Sequence, residues 1–265
     1  MIAFEHKPGL VAYLTCGDPD IATTRAIALA MIDAGADVIE LGVPFSDPVA
    51  DGPVIQRASE RALKSGTSLK QVIAVGAELR KARPKAGLIV FTYLNPVLRL
   101  GIAEFAKQLA ANGIDGALIT DLTVEEAGEY IGAMREHHLV TVFLAAPTST
   151  DARLRSIAEL SSGFVYAVSR TGITGQQKQL ASDAADLVGC IRRVTKLPIA
   201  VGFGISTPEQ FQAVGEFADA AAIGSAIVSI IEKHGNESAE PVATFIRGLR
   251  AAKSTMRADT ERSFA

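Results

Sequence analysis

The fold class this chain predicts is α/β: a closed barrel of eight parallel strands, each followed by helical sequence. Three observations carry that prediction. Short runs rich in β-branched and apolar residues recur eight times, and each is followed by apolar residues at helical spacing. No low-complexity linker or single-sign charge block divides the 265 residues, so residues 1–265 read as one domain. Glycines and acidic residues gather just after the strands, on the barrel face where loops of this architecture carry chemistry.

The elements follow in order. Strand one is expected near Leu10–Thr15. The helix after it can be capped by Asp20, gathers Ile27, Met31 and Ala34 on one face, and ends at Gly35. Strand two, near Asp37–Leu41, is apolar apart from Glu40, and leads into a loop holding Pro44, Pro48 and Pro53. Strands three to five fall near Gly87–Tyr93, Gly116–Thr120 and Val140–Leu144. Strand six, Phe164–Val168, precedes Ser169–Gly175 and a polar stretch through Asp183. Strand seven, Ile199–Gly202, runs into Gly202-Phe203-Gly204; strand eight, Ala220–Ile223, runs into Gly224-Ser225. Strand-to-strand spacing is about 50 residues for the second unit and about 35 for the sixth, against roughly 21–29 elsewhere. The second unit therefore has room for an extra helix. A short apolar helix, Ala226–Glu232, follows strand eight ahead of the last full one, and the polar tail from Lys253 to Ala265 is expected to fray.

Bulk composition excludes several function classes. A net charge of −3 gives no electrostatic case for nucleic acid. No apolar run reaches the roughly 18 residues of a membrane span, and Met1 to Pro8 lacks a signal-peptide core, so a cytoplasmic protein is expected. Cys16 and Cys190 form no ligand cluster and read as reduced thiols. His6, His137, His138 and His234 do not follow strands, which argues against a His base or a His-held metal; no metal site is expected. No strand core contains the Lys that Schiff-base chemistry would need, and no nucleophile elbow is present.

What remains at the strand ends is mostly carboxylate: Asp18, Glu40, Asp47, Asp51 and Asp121, with Tyr166. A Glu in a strand buried on both faces should have a raised pKa, because burial penalises its ionised form. That suits acid–base work near neutral pH, and no strand cation is available to pair with Glu40. Asp51 has two readings, a turn or helix cap in Asp51-Gly52-Pro53, or a second functional carboxylate. Asp47 reads as loop-shaping, Asp18 as a cap, and Asp121 as a group that pins loops through backbone hydrogen bonds. Glycine loops after strands six to eight suit a phosphate held by backbone N–H groups and by the start of a short helix. Tyr13, Phe91, Leu118, Leu144, Tyr166 and Phe203 either fill the barrel or line its mouth. The residues alone thus describe carboxylate acid–base chemistry on a phosphorylated, partly apolar metabolite.

The segment Glu40–Gln56, ELGVPFSDPVADGPVIQ, resembles the signature of the tryptophan synthase alpha subunit. The similarity extends through Leu14–Pro19, Thr92–Pro96, Ser169–Gly175, Gly202–Ser206 and Gly224–Val228, and so covers essentially the whole chain. Two departures stand out. Thr123 occupies a position where many members have Pro, and the N-terminal segment that usually plugs the barrel bottom as a helix is only about eight residues long. The resemblance implies a TIM barrel that cleaves indole-3-glycerol phosphate to indole and glyceraldehyde 3-phosphate. By the same resemblance, Glu40 is acid and base, Asp51 binds the indole N–H, and Tyr166 positions the reacting side chain. Gly175, Phe203, Gly204, Gly224 and Ser225 hold the phosphate, and Thr174 closes over Asp51. It also implies a beta-subunit partner in an α2β2 assembly, docked on Pro44–Pro53. That partner carries pyridoxal phosphate; no cofactor is expected in this chain. A stand-alone lyase of the same fold, or a non-catalytic activator of the beta subunit, are the alternatives.

Overall fold

A computed structural model describes residues 2, 4–168, 177–202 and 204–262, with side chains described outside 177–181 and 252–262. Eight parallel strands close into a barrel in sequence order: β1 (Gly9–Thr15), β2 (Val38–Gly42), β3 (Gly87–Thr92), β4 (Gly116–Ile119), β5 (Val140–Ala145), β6 (Val165–Val168), β7 (Ile199–Gly202) and β8 (Ala220–Ile223). β1 pairs with both β2 and β8, which closes the ring. The helices between them are α1 (Ile21–Asp33), α2 (Pro53–Lys64), α3 (Leu69–Ala82), α4 (Leu94–Leu100), α5 (Ile102–Ala111), α6 (Gly128–Glu136), α7 (Asp151–Leu160), α8 (Gln177–Arg192) and α9 (Pro208–Phe217). After β8 come α10 (Ser225–His234) and α11 (Ala239–Arg262). The extra helices expected after strands two and eight are α2 and α10. A further one, α4, follows strand three and was not anticipated. Among the described residues, no helix is long and apolar enough to cross a membrane.

Alternation along the strands sorts side chains into two layers. Leu10, Ala12, Leu14, Ile39, Leu41, Leu88 and Val90 face outward and pack against the helices. Val11, Val38, Ile89, Leu118, Val142, Phe164, Ala200, Ala220 and Ala222 face inward and fill the barrel. The inward side chains of β7 and β8 are alanines, which leaves space near the bottom. Ile2 and Phe4 from the N-terminal segment join this inner layer, and the Phe4 ring lies edge-on to Phe164 at 6.0 Å. Among the described residues, Ile2 and Phe4 are the N-terminal side chains that pack into the barrel bottom.

Three aspartates brace that same end. Asp37, Asp115 and Asp219 sit just before β2, β4 and β8. Each accepts the backbone N–H of the neighbouring strand's first turn of chain: Leu10 at 2.7 Å, Leu88 at 2.8 Å and Ile199 at 2.9 Å. Each also takes a guanidinium: Arg250 for Asp37 at 2.6 Å, Arg80 for Asp115 at 2.7 Å, and Arg192 for Asp219. Arg250 further binds the carbonyls of Pro8 and Gly35 and lies over the Phe211 ring. Charged hydrogen bonds of this kind are stronger than neutral ones, so the N-terminal face is the stabilising face.

Candidate active site

Glu40 lies between outward-facing Ile39 and Leu41, so the strand period turns it into the barrel. Its Cα is in register with Tyr13 of β1 and Ile89 of β3. Only 1% of Glu40 is exposed, and its Oε1 has no hydrogen-bond partner among the described residues. Desolvation by burial pushes its pKa up to about 8. A carboxyl in that condition is neutral at pH 7 and can exchange a proton on either side of neutrality.

Asp51 arrives from the loop after β2. The loop is anchored where Val43 N–H meets the Phe91 carbonyl at 2.9 Å and where the Phe45 ring stacks on Tyr93 at 5.0 Å. The capping alternative for Asp51 does not apply to its side chain. The N-cap of α2 is Gly52, without a side-chain cap, and Pro53 opens the helix. The Asp51 carboxylate instead accepts a hydrogen bond from the Tyr93 hydroxyl at 3.1 Å, while that hydroxyl accepts one from Ala50 N–H at 3.0 Å. Burial pushes the Asp51 pKa up to about 6, and the Tyr93 hydrogen bond works against that rise.

Tyr93 is a site residue that sequence reasoning missed. It lies within Thr92–Pro96, but its partner is 42 residues away. Asp121 fixes it indirectly, by accepting the N–H of Leu94 at 2.7 Å at the start of α4, which is the loop-pinning role expected of it. Asp47 is exposed and takes the Ser46 hydroxyl, as a loop-shaping residue does. Asp18 is not a helix cap. Asp20 caps α1 through Thr23 N–H at 2.7 Å, and Asp18 is paired with Arg61.

Tyr13 and Tyr166 complete the walls around Glu40. Burial raises both hydroxyl pKa values, and both carboxylates, Glu40 and Asp51, add to the rise. Each ring lies across a glycine. A Cβ on Gly42 would come within 2.4 Å of the Tyr13 hydroxyl, and one on Gly202 within 2.7 Å of the Tyr166 hydroxyl. Phe91 meets Tyr13 edge-on at 5.1 Å. Phe91, Leu144 and Tyr166 are part-exposed at the upper rim of the inner layer, whereas Leu118 is fully buried within it.

On the β7–β8 side, Gly204 has φ +78° and open space where a side chain would stand. Gly224 is the N-cap of α10 and supplies no side-chain cap, so the first N–H groups of that helix, beginning at Ser225, have no side-chain acceptor there. An uncapped helix start beside open glycine backbone is suited to an anion. Thr174, Gly175 and Phe203 lie outside the described residues.

A buried acid, a second carboxylate on a stiff loop and an anion-ready helix start therefore share one barrel mouth. The profile of the family described as "Tryptophan synthase alpha chain" matches residues 2–257. The chain belongs to that family. It is 51% identical over 248 residues to a tryptophan synthase alpha chain of Solibacter usitatus, covering 93% of this chain and 92% of the other. The identity to that of Laribacter hongkongensis is 45%, covering 93% of each. Among solved structures, the tryptophan synthase complex of Pyrococcus furiosus superposes with a TM-score of 0.85 at 38% identity, over 92% of this chain and 98% of that one. Membership makes the chain a lyase of the tryptophan synthase alpha type, one that cleaves indole-3-glycerol phosphate.

Proposed function

We propose that Glu40 and Asp51 carry the retro-aldol cleavage, with the phosphate held at Gly204 and the start of α10. Glu40 begins protonated and gives its proton to indole C3. The indole becomes cationic, and its ring nitrogen takes up positive charge. Asp51 accepts the N–H hydrogen bond and stabilises that charge. The Glu40 carboxylate then takes the proton of the side-chain hydroxyl. The oxygen lone pair forms the carbonyl, the bond to C3 breaks, and its electrons return to the ring. Indole and glyceraldehyde 3-phosphate leave, and Glu40 has its proton back. Tyr166 packs against the reacting side chain. The observation that carries this reading is the buried Glu40 oxygen that has no partner among the described residues, because a structural Glu in a barrel strand would be expected to have one.

The proposed partner is a beta subunit docked on the loop after β2. Val49 is 85% exposed, and exposed Leu63 lines the same groove. Phe45, Pro48, Gln56 and Glu60 also line that groove, of about 300 Å³. A solved Pyrococcus furiosus α2β2 complex is described in terms of mutual activation; the same assembly is proposed here, with pyridoxal phosphate confined to the partner. Indole release from indole-3-glycerol phosphate, with and without a beta subunit, tests both parts. Acceleration by the partner is expected, and Pro48→Ala should blunt it more than the basal rate. Full activity that does not respond to the partner would favour a stand-alone lyase.

A further inference from the structure

Away from the reacting groups, four charged side chains join three elements of the barrel mouth. Arg57 and Arg61 stand one turn apart on α2. Arg57 grips Glu232 of α10 with two hydrogen bonds of 2.8 Å. Arg61 reaches the same carboxylate with Nη1 at 2.8 Å, and uses Nε and Nη2, each at 2.8 Å, to hold both oxygens of Asp18 in the β1–α1 loop. Asp18 is 2% exposed, and Arg61 is its ion-pair partner. The two arginines hold Glu232 ionised, with its pKa lowered to about 2, first by the Arg57 hydrogen bond. Beneath the network, Ala58 of α2, Val228 of α10 and Tyr13 of β1 form one small buried cluster.

The position of the network matters more than its strength. The N-terminal end of α2 is tied through Gly52 to Asp51. The N-terminal end of α10 is the uncapped anion site. Their contact is apolar, with Val54, Ile55 and Ala58 of α2 and Val228 of α10 in one cluster with Tyr13, and apolar packing is non-directional. The forked guanidinium groups supply the missing geometric constraint. We infer that Arg57, Arg61 and Glu232, with Asp18, are positioning residues that register α2 against α10, so that anion occupancy at α10 and placement of Asp51 depend on each other. This rests on the assignments of Asp51 and the α10 N-terminus above.

Glu232→Gln and Arg57→Met test it in the intact chain. Both targets are at the partly exposed end of the network and leave the Asp18–Arg61 pair in place. Each variant is expected to lower kcat for indole release by about tenfold, since misplacing a catalytic group by an ångström costs up to about 10²-fold. Each should also weaken glycerol 3-phosphate, titrated calorimetrically, by a few-fold, while Arg57→Lys, which retains one ion pair, recovers part of both losses. A lowered melting temperature with unchanged kcat and unchanged affinity in both variants would overturn the inference, since that is what a merely stabilising salt bridge does. The wild-type chain is the control for the underlying assignment: no indole release at all would remove the reading of the site, whereas wild-type turnover in both variants would remove the registration alone.

Discussion

Replacing Glu40 with Gln should stop the reaction and stabilise the protein, and the stabilisation should grow with pH. A glutamine matches the neutral acid in shape, so the barrel need not repack. What it removes is the proton equilibrium. The folded protein holds the Glu40 proton up to about 8, whereas an ordinary Glu releases it near 4.5. Between those values the native state binds more protons than the unfolded chain, so wild-type stability falls as pH rises through the window. The difference between variant and wild type should be below about 1 kcal/mol near pH 5, about 3 kcal/mol at pH 7, and approach about 5 kcal/mol above pH 8. For a chain of this size, about 3 kcal/mol corresponds to roughly 6–12 °C in melting temperature. Urea titrations of both proteins across pH 5 to 9 read the gap. The same preparations, assayed for indole release, should show at least a ~10²-fold loss in the variant, as expected for a general acid–base group. A gap that does not change with pH would show that Glu40 ionises normally in the fold and would refute the electrostatic argument. Near-normal turnover would refute the catalytic one.

Other expectations follow from the same groups. The pH profile of kcat/KM should be bell-shaped, falling below about 6 as Asp51 is protonated and above about 8 as Glu40 loses its proton. Tyr93→Phe should move the acidic limb upward, because the lost hydrogen bond is the one that lowers the Asp51 pKa; an unmoved limb would mean that another group titrates there. Asp51→Asn should depress kcat more than KM, since an amide stabilises a cationic ring poorly; a defect mainly in KM would make Asp51 a binding residue. Gly204→Val should weaken glycerol 3-phosphate binding without unfolding the barrel, through both lost access and the strain of a branched side chain at φ +78°; unchanged affinity in calorimetric titration would place the phosphate elsewhere. Asp115→Ala should lower unfolding free energy by roughly 1.5–3 kcal/mol in urea titrations and leave kcat unchanged, because it removes charged hydrogen bonds at the far end of the barrel.

The strands and the acid were legible because both are written locally. Apolar runs flanked by glycine and helical spacing marked all eight strands, and Glu40 announced itself by being the wrong residue type for its strand. What escaped was held by partners far along the chain. Asp18 looked like a cap because its sequence neighbours Gly17 and Pro19 are turn residues, yet its partner is Arg61, 43 residues on. Tyr93 had no visible assignment because Asp51 lies on another unit, and α4 gains its capping acceptor from Asp121 at the end of β4. A tyrosine ending one strand beside the proline loop of the previous unit was the available signal. That Ile2 and Phe4 share the inner layer with the alanines of β7 and β8 was not legible, because no local pattern reveals which positions face one another across the barrel.

One strand shows how the barrel divides its labour. Asp37 precedes β2 and Glu40 lies three positions later, and the two carboxyls have opposite surroundings. Asp37 accepts N–H groups from Glu5 and Leu10 and a guanidinium from Arg250, so both of its oxygens are hydrogen-bonded. Glu40 is buried and has an oxygen with no partner among the described residues, and burial raises its pKa, so its environment favours the proton. Supplying Glu40 with an arginine would give its oxygen a partner, but would also lower its pKa and leave no proton to give to a substrate. The unsatisfied oxygen is therefore a condition of the proposed chemistry, while at the opposite end of the barrel each of three aspartates is hydrogen-bonded to a backbone N–H and a guanidinium. Stability and reactivity can be separated in this way because the barrel places the beginnings and the ends of all its strands on different faces.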